Sequence, residues 1–278
     1  MPQSDLKATI QKVIAEVMDR VMDRVLYTDP FIREEHYAKK PLYAALVPDE
    51  IFKGSHFERR FVAPFGGVWE KLAVVAANQG LGYGVQNYRI DGLVKAERLQ
   101  RITEVLNKLE HKTAALESKI KPNWEAELAY IMQGSGENIP VSVICDLYAE
   151  NASTGEKFAF ELKAPLPNSD QTKVSKEKLL KLYSMGPRQI TAAYYALPYN
   201  PYGRRENYSW SFPARWFNMQ EDEALLIGDE FWEKIGGVGT YQTFIEAINE
   251  IGDKYKARIY REYLGIEPPP DAFLTKLR

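Results

Sequence analysis

Asp146, Glu161 and Lys163 place two carboxylates and an ammonium within or at the end of two apolar runs, VSVICDLY and KFAFELKAP, where charge is costly. In the first run Val141, Val143 and Cys145 alternate with Ser142, Ile144 and Asp146, so Asp146 falls on the opposite face from the first set. In the second, Glu161 and Lys163 are two apart and share a face. The connection NASTGEK, with Gly155 at its turn, makes the pair read as a hairpin that brings Asp146 toward Glu161 near the strand ends. Two carboxylates packed together raise each other's pKa unless a cation intervenes. A hard divalent cation such as Mg²⁺ resolves the repulsion, because it takes one or two carboxylates together with waters and phosphate oxygens. The chemistry this suits is phosphodiester hydrolysis. The cation polarises the phosphate and lowers the pKa of a bound water, while Lys163 orients or helps deprotonate the nucleophile and offsets developing charge. The plain alternative is an edge-strand salt bridge with no chemistry.

Asp146, followed fifteen positions later by Glu161-Leu162-Lys163, resembles the D…ExK signature of the PD-(D/E)xK nuclease superfamily, with Cys145 where a proline often stands. The same kind of triplet also occurs elsewhere, as at Asp5-Leu6-Lys7 and Glu117-Ser118-Lys119, but neither of these closes an apolar strand pattern with an aspartate upstream. The resemblance implies a restriction-endonuclease-like α/β (α+β) core with a central mixed sheet flanked by helices. It also implies Mg²⁺, replaceable by Mn²⁺, held by Asp146, Glu161 and the carbonyl of Leu162. Family folds often add an acid from a preceding helix. Glu70 in FGGVWEKLAVVAA is the candidate, with Glu125 and Glu127 as rivals, and a carboxylate favoured by the helix dipole accounts for Glu70 equally well.

The continuation ELKAPLPN, leading into a lysine-bearing helix, resembles type II restriction endonucleases of the TdeIII group over about residues 60 to 220. What this implies is cleavage of double-stranded DNA, leaving 5′-phosphates, at a short, GC-rich, interrupted palindrome of the GGNCC kind. A palindrome calls for two symmetric active sites, hence a homodimer. Asn168, Ser169, Gln171, Thr172, Lys173 and Lys176 follow the strand directly and are candidates to reach DNA, since Asn and Gln pair with adenine and Lys or Arg with guanine or phosphate. A polar loop capping a helix would look the same. Asn200, Arg204, Arg205, Asn207 and Arg215 lie among Tyr199, Tyr202, Tyr208, Trp210 and Trp216, a mixture that suits nucleic acid or a loop pinned by its aromatics. Arg59 and Arg60 are candidates for the phosphate backbone.

The elements that must position these groups follow from periodicity. SDLKATIQKVIAEVMDRVMDRVLY reads as a helix with Leu6, Ile10, Val13, Ile14, Val17, Val21 and Val25 on one stripe, and GGVWEKLAVVAANQG as a second helix. GLGYGVQNYRIDG reads as a turn-rich loop; it lacks GK[ST], so no nucleotide cofactor is expected. Residues 93–120 read as a long charged helix, residues 171–185 as another, QITAAYYALPY as a buried strand, and the tail as helices around 221–235 and 239–264. No linker divides the chain, so 1–278 reads as a single nuclease domain with its catalytic core at about 60–220.

Composition narrows the class. A 278-residue chain with 45% hydrophobic residues supports a real core, and its apolar runs are too short to span a membrane. One cysteine excludes an intramolecular disulfide, and three scattered histidines offer no zinc-ligand spacing. A soluble, cytoplasmic, prokaryotic protein is expected. Net charge is −2, yet six Lys/Arg face two acids from Lys163 to Arg188, and nine acids face Lys234 alone from Met219 to Asp253. Such segregation suits a basic working face or simply solvated helices. Two other functions fit the same residues: a structure-specific repair or recombination nuclease of the same superfamily, and a non-catalytic DNA-binding module.

Overall fold

The computed structural model of the chain describes residues 3–111 and 120–277. The chain divides into two compact units, one of residues 1–72 and 242–278, the other of residues 73–241. The boundaries fall inside helices, not at a linker, which is why no shift in composition marks them.

In the first unit, α1 (Gln3–Asp23), α2 (Arg33–Lys39), α3 (Pro41–Leu46), α4 (Asp49–Phe65) and most of α10 (Thr240–Arg258) are helical, and α5 (Val68–Gly80) begins here. The stripe of α1 is buried at Leu6, Ile10, Ile14, Val17 and Val21. Tyr255 of α10 donates its hydroxyl to Asp19 Oδ1 at 2.8 Å, and Val21, Val25 and Tyr263 form a small core with Phe57 and Phe61 against it.

The second unit is built on a six-stranded mixed sheet in the order β4-β1-β2-β3-β5-β6. β1 (Gly82–Lys95) and β2 (Asn138–Asn151) form a long antiparallel pair, and β3 (Lys157–Leu162) returns antiparallel to β2. The turn between β2 and β3 carries Gly155 at φ +73°, a conformation that glycine adopts without a steric penalty. From β3 the chain crosses through α8 (Ser169–Ser184) to β5 (Ala192–Leu197), parallel to β3, and β6 (Leu225–Ile227) adds parallel to β5. β4 (Met185–Gly186) edges β1. One core joins this sheet to α6 (Ala96–Glu110), α7 (Trp124–Met132) and α8 through Leu106, Ile131, Leu180, Cys145 and Tyr195. Against the β3 residues Phe158 and Phe160 lies α9 (Asp229–Gly236), with Phe231 edge-on to Phe160 at 5.7 Å.

Three expectations change. The glycine-rich tract is strand β1, not a loop: β2 supplies a long antiparallel partner that pairs with it from Gly82↔Asn151 to Lys95↔Asn138, and Gly84 is needed because a Cβ there would come 2.7 Å from Ala77 Cβ of α5. The helix expected from residue 93 begins at Ala96, because Leu93, Val94 and Lys95 pair with Pro140, Ile139 and Asn138; its expected end, with the Glu117-Ser118-Lys119 triplet, lies outside the described residues. The helix expected around 221–235 is split into β6 and α9, since Leu225 to Ile227 find an open edge on β5 before Gly228 turns the chain. Among the described residues no helix is long and apolar enough to cross a membrane.

Candidate active site

Asp146 in β2, Glu161 and Leu162 at the end of β3 and Lys163 just beyond are brought together where β2 and β3 separate. Their ladder runs from Glu150↔Lys157 to Leu147↔Phe160 and stops one residue short of Asp146. In place of a backbone pair, the Asp146 carboxylate accepts the amide of Leu162 at 2.8 Å. Pairing of Lys163 N–H with Ala196 O at 3.0 Å holds the end of β3 against β5, so the two sides of the opening are fixed.

Lys163 Nζ lies 2.9 Å from Asp146 Oδ2, 2.8 Å from the carbonyl of Leu162 and 3.5 Å from Glu161 Oε2. Three oxygens of hard-donor type thus converge on a single positive charge. Glu161 is buried, its side chain 1% exposed, whereas Asp146 and Lys163 are about one-fifth exposed, at 19% and 21%. Burial, reinforced by the negative charge of Asp146 and opposed by Lys163 and Lys178, lifts the Glu161 carboxyl to about 7. The neighbouring Cys145 thiol is pushed up to about 12, mainly by burial, which keeps it protonated. Lys178 of α8 completes the cluster. Its Nζ donates to both oxygens of Glu161, at 2.8 and 2.9 Å, and to the carbonyl of Ile144 at 2.8 Å. Sequence reasoning passed over Lys178 because nothing local separates it from Lys173 or Lys181; only the crossover that lays α8 on β2 and β3 singles it out.

The donor set fits a hard divalent cation. Two carboxylates and one carbonyl leave room for waters and phosphate oxygens, which is how Mg²⁺ is usually held. No cluster of three or more His, Cys, Asp or Glu suited to a metal occurs among the described residues.

Residues 6–252 match the type II restriction endonuclease family HinfI. The chain belongs to that family. Among curated relatives, the type II restriction enzyme HgiCII of Herpetosiphon aurantiacus is 28% identical over 228 residues, 81% of this chain and 82% of the relative. HgiEI and HgiBI from the same organism are 28% and 27% identical over 232 residues, 81% of both chains in each case. Membership in the HinfI family makes this chain a restriction endonuclease, and DNA its substrate.

The other residues singled out in this HinfI-family chain divide by their surroundings. Asn168 caps α8, its side chain accepting the amide of Gln171 at 2.8 Å, and both are exposed. Ser169 accepts from the indole of Trp216 at 3.0 Å, and Lys173 pairs with Glu110. Thr172 is buried against the Tyr195 hydroxyl at 3.1 Å. Lys176 is buried as well: it pairs with Glu127 at 2.5 Å, donates to the carbonyl of Trp216 and faces the Phe217 ring at 5.2 Å. Neither Thr172 nor Lys176 presents its side chain to solvent, which removes both from the set able to meet DNA on this surface. Helical periodicity explains it, because positions 172, 175, 176, 179 and 180 form the buried stripe of α8.

In the aromatic loop Arg204 and Asn207 are exposed, while Arg205 is tied to Glu230 at 2.6 and 2.8 Å and Arg215 is half-buried. Asn200 is buried, accepting from Tyr202 N at 2.9 Å, so it shapes the loop. Tyr208 and Trp210 donate to the carbonyls of Pro165 and Pro167, at 2.9 and 2.8 Å, and so fasten this loop to the APLPN segment that leaves the site. In the first unit, Arg60 is engaged by Asp29 at 2.7 Å and Arg59 is exposed. Glu70 stands in the first turn of α5, also in the first unit, and is half-buried. Of its rivals, Glu125 is exposed and Glu127 is committed to Lys176.

Proposed function

We propose that the Asp146, Glu161 and Lys163 cluster is the phosphodiesterase centre of a PD-(D/E)xK fold, and that it requires Mg²⁺, with Mn²⁺ able to substitute. The observation that carries the reading is the convergence of Asp146 Oδ2, Leu162 O and Glu161 Oε2 on Lys163 Nζ, within 2.8 to 3.5 Å. When bound, the cation polarises the scissile phosphate and makes a water nucleophilic near neutral pH. The chain supplies the rest. Asp146, its carboxylate held by the Leu162 amide, and Glu161, held by Lys178, present oxygens in a fixed geometry. Lys163 orients the attacking water through Nζ and offsets charge building on the phosphate oxygens. In-line attack on the side opposite the 3′-oxygen leaves 5′-phosphate and 3′-hydroxyl ends.

The substrate is double-stranded DNA at a short interrupted palindrome of the GGNCC kind, a reading supported by the TdeIII-like ELKAPLPN segment. A two-fold target is cut on both strands by a homodimer. Glu70 is carried as an additional acid. Asn168, Ser169, Gln171, Lys173, Arg204, Arg205, Asn207, Arg215, Arg59 and Arg60 form the set from which base and phosphate contacts are drawn.

Digestion of a long DNA of known sequence, with Mg²⁺ or with EDTA, tests this. Wild type yields discrete fragments with Mg²⁺ only, and Lys163→Ala slows cutting by about 10²-fold or more. Undiminished cutting by Lys163→Ala, or fragments in EDTA, would overturn the proposal.

A further inference from the structure

We propose that Asn87, held in a left-handed backbone conformation directly across from Asp146, is a positioning residue that opens the sheet at the active site. This inference rests on the reading of Asp146 as a cation ligand. The β1–β2 ladder pairs Gln86 with Leu147 and Tyr88 with Cys145, so its register places Asn87 opposite Asp146, yet that one pair is missing. Asn87 has φ +55° and is the sole non-glycine residue with positive φ among the described residues. A residue in that conformation cannot continue an extended ladder.

On the other side of β2, pairing with β3 ends at Leu147↔Phe160. Asp146 is therefore paired across the sheet with neither neighbouring strand, although both of its neighbours in sequence, Cys145 and Leu147, are. The gap on the β3 side is filled by the Asp146 carboxylate reaching the Leu162 amide at 2.8 Å. The gap on the β1 side is made by Asn87.

The ladder resumes beyond the break with its register unchanged, so the break is confined to the position that faces the carboxylate. The chain is secured directly beside it, at Tyr88. Tyr88 stacks on Tyr148 with ring centroids 4.3 Å apart and planes 23° from parallel, and the Cys145 thiol donates to the Tyr88 carbonyl at 3.4 Å. A sparsely populated backbone state inside a strand persists only when its surroundings over-determine it, and such states cluster where strain assists function. Asparagine is the usual non-glycine occupant of this region, because its short amide can bond locally. Asn87 itself is exposed and buries no side chain, so its type is set by the backbone it must adopt and not by packing. Its role is to release the backbone of Asp146 from β1, so that the carboxylate settles where Leu162, Lys163 and the cation meet.

The test is a series at this one position in the full-length chain: Asn87→Gly, which keeps the left-handed state, Asn87→Ala, which disfavours it, and Asn87→Val, which disfavours it most. Two readouts are taken, the single-turnover rate of cleaving a long DNA with saturating Mg²⁺ and the affinity for Mn²⁺ by calorimetry without DNA. Asn87→Gly is expected within about threefold of wild type on both. Asn87→Val is expected to cut about 10²-fold more slowly, as for a misplacement of ~1 Å, and to bind Mn²⁺ more weakly. Should the valine chain fail to fold, the order glycine above alanine carries the same information. Loss with Asn87→Gly equal to that with Asn87→Val would assign the effect to the amide group and overturn the proposal, as would a flat series. An Asp146→Asn control separates the two readings. If it cuts and takes up Mn²⁺ as wild type does, the cation-site reading itself has failed; if it loses both while the Asn87 series is flat, only the present inference falls.

Discussion

Lys178 meets the proposed centre through Glu161 although no motif marks it. A carboxylate as deeply buried as Glu161 is costly to keep ionised, and Lys178 gives it two hydrogen bonds and a compensating charge. Replacing it with alanine leaves Lys163, at 3.5 Å, as the nearest ammonium. Lys178→Ala is expected to cut about 10- to 100-fold more slowly and to need more Mg²⁺ for half-maximal rate, the scale typical of lost partners to metal ligands. Lys178→Arg should recover part of both, which Mg²⁺ titration of single-turnover cleavage measures. The triad Asp146, Glu161 and Lys163 was legible in sequence because charge at the end of a strand pattern is conspicuous. Lys178 was not, because a lysine on a helix is ordinary until the fold shows which carboxylate it meets.

At the scale of the element, α8 does two jobs with its two faces. The buried face carries Thr172, Lys176, Leu179 and Leu180, and the partly exposed one Lys173, Lys178 and Lys181. Among the lysines Lys176 is structural. It links α8 to Glu127 of α7 and to the Trp216 carbonyl, and burial lowers its own pKa while raising that of Glu127. Removing one member of such a pair leaves the other charge stranded, at about 3 to 5 kcal/mol. Lys176→Ala should therefore lower unfolding free energy in urea by that amount. Lys176→Met combined with Glu127→Leu should restore most of it. A DNA-contacting lysine would instead change the salt dependence of binding and leave stability nearly untouched. Sequence alone could mark α8 as lysine-rich; which lysines point inward depended on helical phase, and so on where the helix begins and what it packs against.

For the whole molecule, Glu161 ties stability to pH. Its carboxyl titrates near 7 in the folded protein against 4.5 when unperturbed. Below 4.5 both states hold the proton. Between there and 7 the folded state keeps a proton that the unfolded chain has released, so stability falls as pH rises, by about 3 kcal/mol in total. Thermal unfolding in EDTA should show this loss from pH 5 to 8, Glu161→Gln should flatten it, and added Mg²⁺ should reverse it. Assembly is the other whole-molecule property. The proposed homodimer predicts twice the chain mass of 31.8 kDa in sedimentation, and a purely monomeric species, free and DNA-bound, would contradict it. Composition and the apolar patterning by themselves pointed to an α/β core, and the D…ExK spacing and the ELKAPLPN continuation to a nuclease with Asp146, Glu161 and Lys163 as its proposed acids and lysine, because those signals are local. The tertiary structure alone decided that the glycine-rich tract is a strand, that Leu225 to Ile227 extend the sheet, that Lys176 is interior, that Lys178 meets Glu161, and that Asn87 stands opposite Asp146. Each of those outcomes depends on which distant segment offers a hydrogen-bonding edge or an opposite charge, and that is a property of the folded chain.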